Sequence, residues 1–248
     1  MAPSDKRHVI SVSDAEALAK AAADRILARI AANRARLAIC LTGGSGPKQL
    51  YQLLATEAYR SRIPWDRVHW FIGDERFVRA DDPLSNMATA RRIFLDSYAP
   101  ASNIHPIPID TANLRQAAHR YESELQSFYG ADRLDAARPL FDVVLMGVGP
   151  DGHTASLFPN DPALEETERW VVGVPGAHVE PFVARVTLTL PALGSCREML
   201  FEVSGSDKRA ILTRVLDGED LPANRAISTG ETIWLVDKAA LGENFRAQ

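Results

Sequence analysis

The 248-residue chain is poor in cysteine: Cys40 and Cys196 are the only two, and no CxxC pair occurs. A disulfide scaffold and a thiolate zinc site are thereby excluded, and since each thiol lies in or beside an apolar segment, both are expected to be buried and reduced. Lysine and arginine form no block, and the net charge is -4, so the basic stripe that polyanion binding needs is missing. No nucleic-acid partner is expected. No run approaches the roughly 18 unbroken apolar residues of a membrane span, which argues against a membrane partner. Met1 to Arg7 lead into a strand-like stretch without the apolar core of an export signal, so a cytoplasmic location is expected. HExxH is absent too, and His69, His105, His119 and His178 are scattered, which predicts no metal and no cofactor. Neither a repeat nor a Pro/Gly/Ser linker divides the chain, so residues 1–248 read as a single α/β domain.

What is present is an alternation of strand and helix patterns. From Ser13 to about Asn33 an Ala-rich stretch places Leu18, Ala22, Ile26 and Ile30 at helical spacing behind a Ser13/Glu16 capping box. Leu37 to Thr42, Val68 to Gly73, Phe141 to Gly147, Val171 to Val174, Leu200 to Val203 and Ile233 to Val236 read as strands. Helices are expected near Asn86 to Tyr98, near Ala112 to Tyr129 and from Asp207 to Leu216. Such alternation predicts an α/β fold with a mostly parallel, doubly wound, Rossmann-like sheet and helices on both faces. The alternating Arg185 to Leu190 suits an edge or antiparallel strand.

Three segments directly follow strands and should converge at the carboxyl edge of the sheet, where open α/β folds bind ligands. Gly43-Gly44-Ser45-Gly46-Pro47 lets backbone approach an anion while the next helix offers free N–H groups, although a plain βα turn has the same composition. It lacks the Gly-Lys-Ser/Thr of a P-loop, a GxGxxG fingerprint, and the glycine after Ser45-x that a nucleophile elbow needs. Asp74-Glu75-Arg76 reads either as a surface ion-pair cluster or as an arginine held by a neighbouring acid for bidentate contact with an anion. Ser85-Asn86 could cap the next helix or reach the ligand, and capping is the safer reading. The third segment runs Gly147-Val148-Gly149-Pro150-Asp151-Gly152-His153, a glycine-punctuated loop that delivers one imidazole to the sheet edge. Histidine takes a proton from water near neutral pH, which makes His153 the candidate general base. Lys208, in the first turn of its helix, opposes the helix dipole unless an anion lies in front of it or Asp207 neutralises it, and Arg185 is open to ligand contact or ion pairing.

These residues resemble the 6-phosphogluconolactonase family over essentially the full length. The most specific match is Gly149 to Pro159; Gly43 to Pro47, Asp74-Glu75-Arg76 with Ser85-Asn86, Arg185 to Pro191, Gly205 with Lys208, and Trp234 support it. The resemblance implies a fold shared with glucosamine-6-phosphate deaminases and ribose-5-phosphate isomerases. It also implies metal-free hydrolysis of 6-phospho-D-glucono-1,5-lactone, with His153 as base and with Ser45, Arg76, Lys208 and Arg185 around the anionic substrate. With Asp151 and Arg76 as further catalytic candidates, the expected substrate site comprises Gly43, Gly44, Ser45, Gly46, Asp74, Arg185 and Lys208. The expected partner is a phosphorylated sugar lactone, bound by a monomer or weak homodimer. The alternatives are a sugar-phosphate isomerase or deaminase of the same fold, which needs carboxylates placed at C1 and C2, and a non-catalytic sugar-phosphate sensor, which usually carries a DNA-binding segment. One departure stands out: the family's loop usually ends Ser-Thr-Pro, and Gly46 here replaces the threonine. Preceding Pro47, Gly46 is expected in extended dihedrals as the N-cap.

Overall fold

A computed structural model of the chain describes residues 7–242 except Ser45 and His178. The expectation for Ser45 therefore lies outside the described residues. The elements in chain order are β1 (Arg7–Val12), α1 (Ala15–Ala32), β2 (Leu37–Leu41), α2 (Pro47–Leu54), β3 (Val68–Ile72), β4 (Asp74–Arg76), β5 (Phe141–Met146), β6 (Val171–Val174), β7 (Arg185–Leu188), β8 (Cys196–Val203) and β9 (Glu231–Asp237). Helices Asn86–Ala90 and Leu114–Tyr129 lie between β4 and β5, and helix Arg209–Leu216 between β8 and β9.

Six strands form one sheet in the order β1-β9-β8-β5-β2-β3, all pairs parallel. Every residue of β2 and β5 is buried, as a parallel strand covered on both faces requires. From β2 the chain crosses to β3 on one side, whereas β5 pairs on the other side and β8 and β9 continue outward. The winding reverses between β2 and β5, and the loops after these strands leave in opposite directions, which opens a crevice at their carboxyl ends.

The remaining strands form a second, antiparallel sheet, β4-β7-β6, which was not foreseen as separate. Gly73 is the junction: its N–H donates to Leu41 O in the main sheet at 2.9 Å, and its carbonyl accepts from Leu188 N in the small one at 2.8 Å. β7 is antiparallel as expected, but it ends at Leu188, and a short helix begins at Leu190. Proline in that helix's first turn, Pro191, lacks the N–H that a continuing ladder would use.

Two local expectations are corrected. The cap of α1 is Asp14, whose Oδ1 accepts from Ala17 N at 2.9 Å, while Ser13 only donates to Asp14 Oδ2, so the Ser13/Glu16 box does not form. Ionised aspartate is the stronger acceptor for a helix N-terminus. Gly46 precedes α2 with φ -55 and ψ -55, helical rather than extended. The pre-proline restriction acts partly through Cβ, which glycine lacks.

The core lies between sheet and helices. Leu18, Ala22, Ile26 and Ile30 bury the face of α1, and Phe201 of β8 stacks on Trp234 of β9 with ring centroids 3.9 Å apart and planes 3° apart. Cys40 and Cys196 are buried free thiols, and burial pushes both pKa values up, Cys196 to about 12. Among the described residues no helix is long and apolar enough to cross a membrane.

Candidate active site

The crevice is a cavity of about 290 Å³, into which all three expected segments open. Gly43, Gly44, Gly46 and Pro47 line it after β2, Asp74 and Arg76 from β4, Gly147 to Pro150 with His153 after β5, Arg185 from the start of β7, and Ser204, Asp207 and Lys208 after β8.

His153 owes its position to glycine. A Cβ on Gly149 would lie 2.0 Å from the imidazole Nδ1, so only glycine lets the ring fold back over this loop, and Gly152 turns the chain at φ +89. The Gly149 N–H donates to His153 O at 2.8 Å and closes the turn. His153 Nδ1 lies 2.6 Å from Asp151 Oδ1, which also accepts the His153 backbone N–H at 3.1 Å. Burial pushes the Asp151 pKa up, but these hydrogen bonds outweigh it and hold the carboxyl below its usual value. An ionised Asp151 can only accept, so the proton between them belongs to Nδ1, and in a neutral imidazole Nε2 is then the acceptor. Phe158 packs against the imidazole at 4.7 Å, and the His153 side chain is half-buried.

Asp74 is 4% exposed. Its Oδ2 accepts from Ser156 Oγ at 2.6 Å, and Asn86 Nδ2 reaches Oδ1 at 3.3 Å and the Asp74 carbonyl at 2.9 Å. Arg185 Nη1 stands 3.9 Å from Asp74 Oδ2, and its Nη2 donates to Pro181 O at 3.1 Å. Burial pushes the Arg185 pKa down, and its Nε has no partner among the described residues. Arg76 is similar: Nη1 donates to Leu84 O at 2.8 Å, and Nε is buried without a partner among the described residues. Lys208 Nζ donates to Val148 O at 3.0 Å and forms no ion pair among the described residues. It ends a 3-10 turn, Ser206–Lys208, so the α-helix starts at Arg209 rather than at Asp207. Three cations, Arg76, Arg185 and Lys208, thus meet at one cavity that Asp74, Glu202 and Asp207 also line, and among the described residues the one ion pair their side chains make is the 3.9 Å approach of Arg185 to Asp74. Buried donors left without acceptors are costly unless a ligand takes them up, which gives the cavity the electrostatics of an anion site.

Two expectations change here. Glu75 does not hold the Arg76 guanidinium; its carboxylate accepts the backbone N–H groups of Arg76, Asn86 and Met87 at 2.8, 2.7 and 2.9 Å and Ser85 Oγ at 3.0 Å, which ties the next helix to β4. Ser85 caps that helix as expected, whereas Asn86 reaches the cavity and touches Gly43 so closely that a Cβ there would lie 2.0 Å from Asn86 Oδ1. The residue that sequence reasoning missed is Glu202 on β8, which lines the cavity with neither carboxylate oxygen partnered among the described residues. A glutamate inside Met199-Leu200-Phe201-Glu202-Val203 was the available signal. His69 and His105, 2.9 Å apart at Nδ1 and Nε2, do not line this cavity, and among the described residues no three His, Cys, Asp or Glu side chains converge as a metal ligand set.

A family model described as glucosamine-6-phosphate isomerases/6-phosphogluconolactonase matches residues 13–234. A 6-phosphogluconolactonase of Synechocystis sp. is 41% identical over 221 residues, 87% of this chain and 87% of that protein. The crystal structure of 6-phosphogluconolactonase from Leishmania guyanensis superposes with a TM-score of 0.85 at 28% identity, covering 97% of this chain and 99% of that one. A monomeric glucosamine-6-phosphate deaminase shares the fold, with a TM-score of 0.79 at 19% identity over 94% of this chain and 98% of that one.

Proposed function

The chain belongs to the glucosamine-6-phosphate isomerase/6-phosphogluconolactonase family and hydrolyses 6-phospho-D-glucono-1,5-lactone to 6-phospho-D-gluconate in the oxidative branch of the pentose phosphate pathway, and we propose that it does so with His153 as the base that activates water. The observation that carries this reading is the 2.6 Å contact of His153 Nδ1 with Asp151 in a cavity that also holds Arg76, Arg185 and Lys208.

Nε2 takes a proton from water, and the hydroxide attacks the lactone carbonyl carbon. The charge that develops on the carbonyl oxygen is met by a fixed donor, Arg76 or a backbone N–H. When the tetrahedral intermediate collapses, the bond from C1 to the ring oxygen breaks, and the leaving oxygen recovers the proton from Nε2. The products are the 5-hydroxyl and the carboxylic acid, which ionises. General base catalysis contributes roughly 10² to 10⁴ in rate, and fixed donors to the oxyanion about as much. A δ-lactone already opens in water, so neither a covalent intermediate nor a metal is needed. The backbone of the Gly43–Pro47 loop, the N-terminus of α2 and Lys208 hold the phosphate. Asp74, pinned by Ser156 and Asn86, orients Arg185 and accepts a sugar hydroxyl.

Both sheets of one chain line the cavity, which supports a reading as one unit that works as a monomer or weak homodimer. Two buried free thiols fit a cytoplasmic setting. The test is the rate of lactone opening by chelator-treated protein above the spontaneous background, with glucosamine 6-phosphate as the negative control. Acceleration with no release of ammonia from the control is expected. Activity that disappears with chelator and returns with a divalent ion contradicts the metal-free mechanism, and turnover of glucosamine 6-phosphate contradicts the assignment.

A further inference from the structure

Glu202 sits where the two anion-binding elements meet. It stands next to the end of β8, whose Phe201 pairs with Met146 of β5, so Glu202 lies level with Gly147 where the His153 loop begins. On its other side Leu235 of β9 is its register partner. Tyr51 of α2 donates its hydroxyl to Thr42 O at 2.7 Å and accepts the Thr42 N–H at 3.1 Å; burial raises the pKa of that hydroxyl, and Glu202 lies near enough to raise it further once its carboxyl is ionised. The carboxyl is therefore close to the root of the Gly43–Pro47 loop. Two residues on, Ser204 also lines the cavity, just before the Ser206–Lys208 turn.

The groups around this carboxyl leave it alone. Tyr51 is committed to Thr42, Lys208 to the Val148 carbonyl, and Asp237 at the end of β9 to Ser204 Oγ and the Gly205 N–H. Both Glu202 oxygens are buried without a hydrogen-bond partner among the described residues, in a side chain that lines the substrate cavity. A buried polar group persists without a protein partner where a ligand supplies one. An ionised carboxylate here would repel a phosphate at the neighbouring loop, whereas a neutral carboxyl offers it a donor.

We infer that Glu202 is a further substrate-binding residue of this cavity, donating an O–H hydrogen bond to the phosphate of the bound sugar. The inference rests on the lactonase reading above. Burial pushes the Glu202 pKa up to about 8, so the donor is present at neutral pH and is lost as the carboxyl ionises above that value. Phosphate binding favours the neutral form, so affinity falls with rising pH and the complex takes up a proton as it forms.

The test is calorimetric titration of the wild type, Glu202→Leu and Glu202→Gln with 6-phosphogluconate, the reaction product, between pH 7 and 9.5 in two buffers of different ionisation enthalpy. A hydrogen bond to a charged group predicts that Glu202→Leu raises Kd about tenfold or more at pH 7. Wild-type Kd should rise through pH 8 with up to about three-quarters of a proton taken up at pH 8.5, and Glu202→Gln, which cannot ionise, should lose that component. Equal Kd values for the wild type and Glu202→Leu at pH 7, or identical pH profiles for the wild type and Glu202→Gln, overturn the inference. If the variants fail to fold, the wild type decides alone: binding without proton uptake at pH 8.5 overturns it. A protein that opens the lactone yet shows these contrary profiles sinks this inference only, whereas one that does not open the lactone sinks the reading beneath it as well.

Discussion

Glu198 and Glu202 lie on the same strand, four residues and therefore roughly 13 Å apart on one face, yet they meet opposite surroundings. Glu198, 2% exposed, is held by the guanidinium Nε groups of both Arg25 and Arg29 on α1, which also reach toward Glu231. Glu202, 8% exposed, has no partner among the described residues. The amino end of β8 satisfies its charges within the protein, whereas the carboxyl end gathers Glu202, Arg76, Arg185 and Lys208 around a cavity and leaves polar atoms of three of these four unmatched. A burial pattern alone does not distinguish the two ends. Partnering does, and it separates groups that hold the fold from groups that await a ligand.

The sharpest way to break this comparison is His153→Ala, which should lower kcat by about 10² to 10⁴ with KM within a few-fold, read by steady-state kinetics. An unchanged kcat with a raised KM would make His153 a binding residue. Next in size is the pH dependence of stability at Glu202. Its folded pKa of about 8 lies above the ordinary 4.5, so between these values the folded state keeps a proton that the unfolded chain has lost. Stability therefore falls as pH rises through this window, by up to roughly 1.4 kcal/mol per unit, and levels off above it. Urea melts of Glu202→Leu against the wild type at pH 5.5 and 7.5 should show the variant gaining relative stability at the higher pH. No difference in slope would mean that Glu202 is ionised or solvated in the folded protein.

Lys208→Ala should raise KM through loss of a charged hydrogen bond worth about 1.5 to 3 kcal/mol, with kcat little changed. At the paired end, Glu198→Gln should cost about 1 to 2 kcal/mol, because the two arginines it strands are partly exposed and can turn to Glu231 or to water. A fall in Tm of a few degrees with unaltered kcat and KM is the signature, and a fall in activity without loss of stability would erase the contrast. The smallest effect belongs to Gly46→Thr, expected to destabilise by about 1 kcal/mol, since a Cβ resists helical dihedrals before Pro47. A gain in stability would show that the loop relaxes to the extended form.

The main sheet was legible because its strands are unbroken apolar runs between glycine turns, and the three loops after them were legible as one site because parallel strands carry their carboxyl ends to one edge. The small sheet was not, since β4 is only three residues long and its charged Asp74-Glu75-Arg76 hides a ladder whose partner, β7, lies more than a hundred residues on. Gly46 misled because the pre-proline rule was carried to the one residue without the Cβ on which it partly rests. Glu202 was unreadable as a site residue, and Asn86 stayed open between cap and ligand contact, for a different reason. Their type is common in caps and strands, and only the distance to Gly43 or the absence of a partner marks them.

The central claim is that the cavity holds a phosphate, through the Gly43–Pro47 loop, Lys208 and Glu202. Its most direct test is kcat/KM for 6-phosphoglucono-δ-lactone against unphosphorylated glucono-δ-lactone, each corrected for spontaneous opening. Two or more charged hydrogen bonds, at about 1.5 kcal/mol or more each, predict a preference of at least roughly a hundredfold for the phosphorylated lactone. Equal kcat/KM values would contradict the account.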